Sequence, residues 1–481
     1  MKSALFLILL LSAAGLTSCA KPKEQAAEVI VIHSGRMRGN VYPLSLGSIS
    51  PLQHYQFLAG YVASVRAEAA KTGARVFLVD LGDSLSGSFA SHVTGSMNMV
   101  AFFNQLDYDA VVLSNLDVNV PRAALSDLRA KVLSPFQPLA PTDEFAFPSA
   151  ANFPKDGWNI LLHANFYGDL EPLKHPERFP ESFGGIAVRP VRGALLASVA
   201  IPSGPQLSLL SWMKFEPTDK PPSAFLQSLR DSGIDAILAH RIYGKGEREA
   251  WSSSAFLAWR PPVSLNILRN NGGFAIARMD LAREGEGWKV LSHSLVPMTS
   301  NAAAPDPQVV AAEEKYADQI AAADTPLGDL EAAVDEEGIL QIYMAALSEI
   351  PGTEAVAYSI QSIRSDWPAG TLRASRLFNS LPWTTGLVQV AIKPEDITTL
   401  APLCIIAVAP NNQPGDITIT TSRFFGNLIA RKLHLLPEAV LALSETSEFD
   451  FLLKRLKTSP NINLGMLSPD WTIYPQDKDS L

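Results

Sequence analysis

The sequence predicts an α/β protein built from two α/β units in tandem. Three observations carry this. β-branched, apolar runs of strand length alternate with longer stretches of helical spacing through the first half. Polar residues collect at the ends of these strand-like runs, in the loops where α/β proteins place their chemistry. A Pro- and Ala-rich stretch, "MTSNAAAPDPQ", then interrupts the pattern before it resumes.

The first strand is "EVIVIH". A helical stretch follows, "HYQFLAGYVASVRAEAAKTG", with a Gly stop. "ARVFLVDLGD" reads as the second strand, "SMNMVAFFNQLD" as the next helix and "YDAVVLSN" as the third strand. This order predicts parallel strands joined by crossover helices. "GWNILLHANF", "GGIAVRPV", "LLASVAIP", "DAILAH" and "GGFAIARMDLA" are further strand-like runs. Several lack long helices between them, which predicts antiparallel pairs or a second sheet. After the linker, "VVAAEEKYADQIAAA" reads as a connecting helix, and no internal repeat is visible. The expected division is 1–18 leader, 19–28 polar tether, 29–297 first domain, 298–324 linker and connecting helix, and 325–481 second domain.

The chain has 481 residues, 47% of them hydrophobic and 18% charged, with a formal net charge of −9. That fits globular domains with sizeable cores. It excludes a general nucleic-acid binder, which needs a basic surface. A small anionic ligand would need local positive charge.

Lys2 precedes the apolar run "ALFLILLL" and then "SAAGLTSCA". The run is too short to span a bilayer and has the form of a signal-peptide core. "LTSC" resembles a bacterial lipobox. The resemblance implies cleavage before Cys19, which takes the lipid, and membrane attachment through it. The plainer alternative is an ordinary signal peptide cut nearby. Ala20, being other than Asp, implies the outer membrane, on the periplasmic side. The other cysteine, Cys404, sits in "APLCIIAVA" and reads as a buried core thiol. Neither a disulfide framework nor a Cys-based metal site is available.

Polar residues gather at the strand ends in a fixed order. These are "HSGRMRGN", "DLGDSLSGS", "LSNLDVNV", "HANF" and "AHRIYG". In this order the chain resembles the 5′-nucleotidase family of metallophosphatases. That family carries an Asp-x-His turn, a Gly-Asp, a Gly-Asn-His-Glu/Asp, an isolated His and a Gly-His-x-His. The resemblance continues in "SIRSDWPAGTLRASRLFNSLPWTTGLVQV", similar to the family's substrate-domain stretch. It implies a metallophosphatase-like α/β sandwich followed by a smaller α/β domain of the 5′-nucleotidase C-terminal type. It also implies two metal ions that activate water for attack on a phosphate ester.

Metal ligands need lone pairs from carboxylate, imidazole or amide oxygen. By the resemblance, Asp83 matches the bridging carboxylate, Asn115 the second-site amide and His240 the isolated His ligand. The Asp-x-His turn reads Arg36-x-Arg38. Leu116 stands where the family has the His that protonates the leaving group, and Asn119 where it has the acid orienting that His. None of the eight histidines makes a His-x-His pair, so the last motif is absent. The expectation is therefore a degenerate member with no resident metal and a binding or envelope-assembly role. The alternative is a working phosphoesterase with one divalent ion.

A carboxylate buried without a metal costs several kcal/mol, on the order of the penalty for any unpaired buried ion. A guanidinium from Arg36 or Arg38 supplies the missing charge through a bidentate pair. Two other readings stand beside this one: solvated turn residues, or a phosphate- or carboxylate-binding pair. His240 without its partners is more often a core histidine than a ligand. Arg364 matches a family Arg that contacts the substrate phosphate, although Gln361 and Ser362 replace the glycines before it. Trp383 matches the family aromatic that stacks on a nucleobase, and a Trp after Leu-Pro is equally at home in a core. The family's late Gly-rich stretch is not recognisable in "TSRFFGNLIARK", and Phe424 and Phe425 receive no role.

Overall fold

The structure is a computed structural model. It describes residues 25–35, 37, 39, 51–114, 117, 120–138, 147–155, 158–167, 181–183, 186–190, 206–214, 234–239, 263–265, 275–285, 287–298, 307–363, 365–381, 385–401, 403–410, 415–457 and 467–476.

Four parallel strands open the chain: β1 (Val29–Ser34), β2 (Arg75–Asp80), β3 (Ala110–Val112) and β4 (Lys131–Leu133), side by side in that order. Every residue of β1 is buried, as a parallel strand covered on both faces requires. Helix α1 (Pro51–Thr72) crosses from β1 to β2 and stops at Gly73, whose φ of 75° suits a residue without a Cβ. Helices α2 (Phe89–Val93) and α3 (Met97–Gln105) cross from β2 to β3, and α4 (Arg122–Ser126) from β3 to β4. On the free side of β1 the sheet continues antiparallel with Ala275–Glu284 and its hairpin partner Gly287–Pro297.

A second sheet has the order Val263–Leu265, Ala236–Ala239, Gln206–Lys214, Trp158–Tyr167, Ala150–Lys155. Only its last strand runs antiparallel to its neighbour. The sheets share one hydrophobic core. Phe77 of β2 meets Phe153 of the second sheet edge-to-face at 5.0 Å, and Arg75 Nη1 donates to Phe153 O at 2.8 Å. The expected second sheet and the antiparallel pair are both present. "LLASVAIP" lies outside the described residues.

Helix α5 (Pro307–Ala323) leads into a second core. Its six-stranded sheet has the order Val440–Ser447, Gly386–Ile392, Ile417–Ser422, Ala355–Tyr358, Ile405–Val408, Thr472–Tyr474. Among these pairs only Ala355–Tyr358 with Ile417–Ser422 is parallel. Helices α6 (Glu336–Ser348), α7 (Ala374–Ser380), α8 (Ile397–Leu400), α9 (Arg423–Lys432) and α10 (Glu448–Lys457) complete it. A Cβ on Gly426 of α9 would lie 2.4 Å from Val388 Cγ2, so glycine is what lets this helix lie against its strand. Cys404 is fully buried, and burial pushes its thiol up to about 12. The architecture is the two-part α/β arrangement expected from sequence. Among the described residues no helix is long and apolar enough to cross a membrane.

Candidate functional site

The C-terminal ends of β1, β2 and β3 meet, as the crossover pattern dictates for parallel α/β sheets. β2 ends in Asp80, and the chain turns through Gly82 (φ 98°) and Asp83 (φ 56°). Two successive left-handed residues make a tight concave turn whose N–H groups point inward. Asp is among the side chains that tolerate this conformation. Asp83 is buried, 8% exposed.

The anion in that concavity is Asp117, just beyond β3. Its Oδ2 accepts from Asp83 N (2.7 Å) and Ser114 N (3.0 Å), and its Oδ1 from Leu85 N (2.8 Å) and Ser84 N (3.1 Å). Asp117 is fully buried. Burial, then the charge of Asp83, pushes its carboxyl up to about 6 against the pull of those donors. Sequence reasoning passed over Asp117, although it lies between Asn115 and Asn119 in the stretch singled out. Its role is to brace backbone, and the available signal was its place directly after Leu116, where the resembled Gly-Asn-His-Glu/Asp motif has its acid.

Asp80 is the third buried carboxylate. Its Oδ2 accepts from Ser34 Oγ (2.7 Å) and Ser84 Oγ (2.9 Å), and its Oδ1 from Gly82 N (2.9 Å). Ser34 Oγ also meets Tyr108 Oη at 2.9 Å. Burial raises Asp80 to about 7, partly offset by the Ser34, Gly82 and Ser84 hydrogen bonds.

The turn after β1 is tied to this loop from both flanks of residue 38. Met37 N donates to Ser84 Oγ (3.2 Å) and Gly39 N to Ser84 O (2.9 Å). Gly39 O accepts from Ser88 Oγ (2.6 Å) and Asn98 Nδ2 (3.3 Å). Gly39 has φ 68°, and a Cβ there would lie 2.3 Å from Ser91 Oγ. The backbone that carries the arginine turn is thus fastened one residue from Asp83.

Of the residues the sequence nominated, Asp83 falls at this junction. Arg36, Arg38, Asn115, His240, Arg364, Trp383 and Cys19 lie outside the described residues, as do Leu116 and Asn119. In the second core, Phe424 is 47% exposed, while Phe425 is buried with its ring 5.0 Å from that of Tyr358.

Asp80 and Asp117 use both oxygens on protein N–H and O–H groups. Among the described residues no three His, Cys, Asp or Glu side chains come together as a metal site.

No protein-family model matches the chain, and no curated protein matches it in sequence. Solved structures do. A putative 5′-nucleotidase from Staphylococcus aureus superposes with a TM-score of 0.64 at 13% identity, over 91% of this chain and 98% of that one. A 5′-nucleotidase precursor from Thermus thermophilus gives 0.62 at 13% identity, over 89% and 96%. The sulfate thiohydrolase SoxB of the same organism gives 0.58 at 14% identity, over 91% and 95%. What this chain shares with them is the fold: a metallophosphatase-like α/β sandwich followed by a second α/β domain, as in the 5′-nucleotidases.

Proposed function

We propose that the chain is a lipid-anchored, 5′-nucleotidase-like protein that has given up metal-dependent hydrolysis for a binding or envelope-assembly role. The observation that carries this is a contrast at one junction. The loop scaffold is complete, with Asp117 bracing residues 83–85 and Ser84 fastening the β1 turn. The chemistry it should present is replaced in the sequence by Arg36, Arg38, Leu116 and Asn119. A hydrolase needs lone-pair ligands for its metals and an acid for its leaving group. Guanidinium and an alkyl side chain supply neither. Anchoring through Cys19 and placement in the outer membrane rest on the "LTSC" stretch alone.

The second reading keeps a functional phosphoesterase with a single ion on Asp83, Asn115 and His240, acting on nucleotides or related phosphate esters. The retention of those three residue types is what favours it.

One experiment separates the two. The purified protein is assayed against nucleoside monophosphates with Mn²⁺, Mg²⁺ and Zn²⁺, and its metal content is determined alongside. The expected result is no turnover above background and no stoichiometric metal. Turnover abolished both by EDTA and by Asp83→Ala would establish the second reading.

A further inference from the structure

The two cores meet at a feature unrelated to the chemistry of the site. Helix α2 is only five residues long, yet it makes contacts at both ends. At its start Ser88 is the cap: its Oγ accepts from Ser91 N (3.0 Å), and Ser88 N donates to Ser91 Oγ (3.1 Å). The same Ser88 Oγ donates to Gly39 O in the β1 turn. The next residue, Phe89, belongs by its contacts to the second core. Its ring lies 6.1 Å from that of Phe378 on α7 and 6.4 Å from that of Phe449 on α10. His92, one turn on, stacks on Phe378 at 5.0 Å and meets Phe449 edge-on at 5.3 Å. Val93 O accepts from Gln319 Nε2 of α5 at 3.0 Å.

The contacts continue inward. Phe449 follows Glu448, a buried carboxylate at the start of α10. Its Oε2 accepts from Tyr343 Oη and Tyr358 Oη (2.9 Å each), and its Oε1 from Thr385 Oγ1 (2.7 Å). Glu448 N donates to Thr385 O at 2.9 Å. One continuous set of contacts therefore runs from Gly39, through α2 and the aromatic box that Phe378 and Phe449 form around it, to the start of the strand Gly386–Ile392.

We propose that α2 is a conformational latch: Phe89 and His92 lock the turn at Gly39 and the aromatic box of the second core into one cooperative unit. Packed side chains and hydrogen bonds with a single good arrangement couple what they join. A five-residue helix has too few internal hydrogen bonds to persist alone, so its order depends on both neighbours. The latch holds whether or not the site retains catalysis.

The test is thermal unfolding of the full chain together with amide hydrogen exchange. The parent should unfold in one transition. Phe89→Ala should replace it with two, and should speed exchange in the turn around 37–39 as well as in α7 and α10. His92→Ala, a milder change at the rim, should speed exchange in the same segments with the chain fully folded. Leu347→Ala, a buried deletion in the second core away from α2, should lower a single transition without splitting it. A parent that already unfolds in two steps overturns the latch. So do Phe89→Ala and His92→Ala variants whose faster exchange stops at α2 itself while unfolding stays a single step.

Discussion

Both carboxylate oxygens of Asp117 are occupied by backbone N–H groups, and one of them belongs to Asp83. The strand-end loop that presents Asp83 is thus held by a side chain 34 residues further along. Removing the acceptor orphans four buried donors at once. Asp117→Ala should cost roughly 3–5 kcal/mol, as breaking a buried charged hydrogen-bond network does. Glu284→Ala, at an exposed ion pair with Lys289, should stay within about 0.5 kcal/mol. Urea melts of both variants decide this; similar losses for the two would refute the bracing role.

Gly39 offers a second test of the same junction. An alanine there meets two penalties, a left-handed φ of 68° and a Cβ 2.5 Å from Ser91 Cβ. The backbone cannot relax easily, because its N–H and C=O are both bonded to the neighbouring loop. Gly39→Ala should lose about 1–3 kcal/mol, the usual cost of overpacking plus strain. Adding Ser91→Gly removes the two shortest contacts, leaving Ser88 Oγ at 2.9 Å, and should return part of that. Equal stability of the Gly39→Ala variant and its parent in chemical melts would show that the turn is not clamped.

The fold was legible because its signals are periodic. β1 and β2 carry apolar runs (Val29–Ile32 and Val76–Val79), α1 keeps a helical stripe and ends at Gly73, and α5 appears where the Pro- and Ala-rich stretch ends. The site was legible only where a motif survives, as at Gly82–Asp83. What stayed hidden is acceptor chemistry serving the backbone. Asp109 Oδ2 takes Leu78 N (2.8 Å) while Asp109 N donates to Leu78 O (2.8 Å). Asp235 repeats the arrangement with Ser208 in the second sheet, at 2.8 and 2.9 Å. Such local equivalence between the sheets needs only one Asp before a strand, too little for a sequence repeat to show. The latch was hidden too, because nothing in "SFASHV" says that Phe89 packs in the core formed largely by residues beyond 326.

Buried carboxyls predict a pH dependence with a definite sign. Burial raises Glu448 to about 7, against its hydroxyl partners, and Asp235 to about 6, against the Ser208 N–H. Asp80 is raised in the same direction. A carboxyl with a folded pKa above its unfolded value binds its proton more tightly when folded. The stabilisation is complete below the unfolded value and is lost as pH rises through the folded one. The melting temperature should therefore fall between about pH 4 and about pH 7. Glu448→Gln and Asp80→Asn, which carry no charge to desolvate, should each flatten that slope. A melting temperature that climbs steadily across this range would overturn the assignment.

Anchoring can be tested without any structural assumption. The proposal from "LTSC" is a mature N-terminus at Cys19 carrying acyl chains. Cys19→Ala should move the protein from the membrane to the soluble envelope fraction. Mass spectrometry of the native protein that finds Cys19 unmodified would sink it.

The arginines of the β1 turn give the last prediction. Asp83 is buried, and Asp117, which binds its N–H, is buried beside it. The turn carrying Arg36 and Arg38 is fastened to Ser84 on both sides of residue 38. If either guanidinium neutralises Asp83, removing it leaves an uncompensated buried carboxylate, at a cost of roughly 3–5 kcal/mol. The double change Arg36→Met with Asp83→Asn, or Arg38→Met with Asp83→Asn, should recover much of the loss, because removing both charges removes the desolvation penalty while Asn tolerates the left-handed φ of 56°. Solvated turn arginines would behave otherwise, each single change falling within about 0.5 kcal/mol. An anion-binding pair would differ again: its variants would fold normally but lose the stabilisation that added phosphate gives the parent. Thermal melts of the singles and doubles, with and without phosphate, distinguish the three. Additive effects, with no coupling between Asp83 and either arginine, would mean that some other group carries the charge that Asp83 needs.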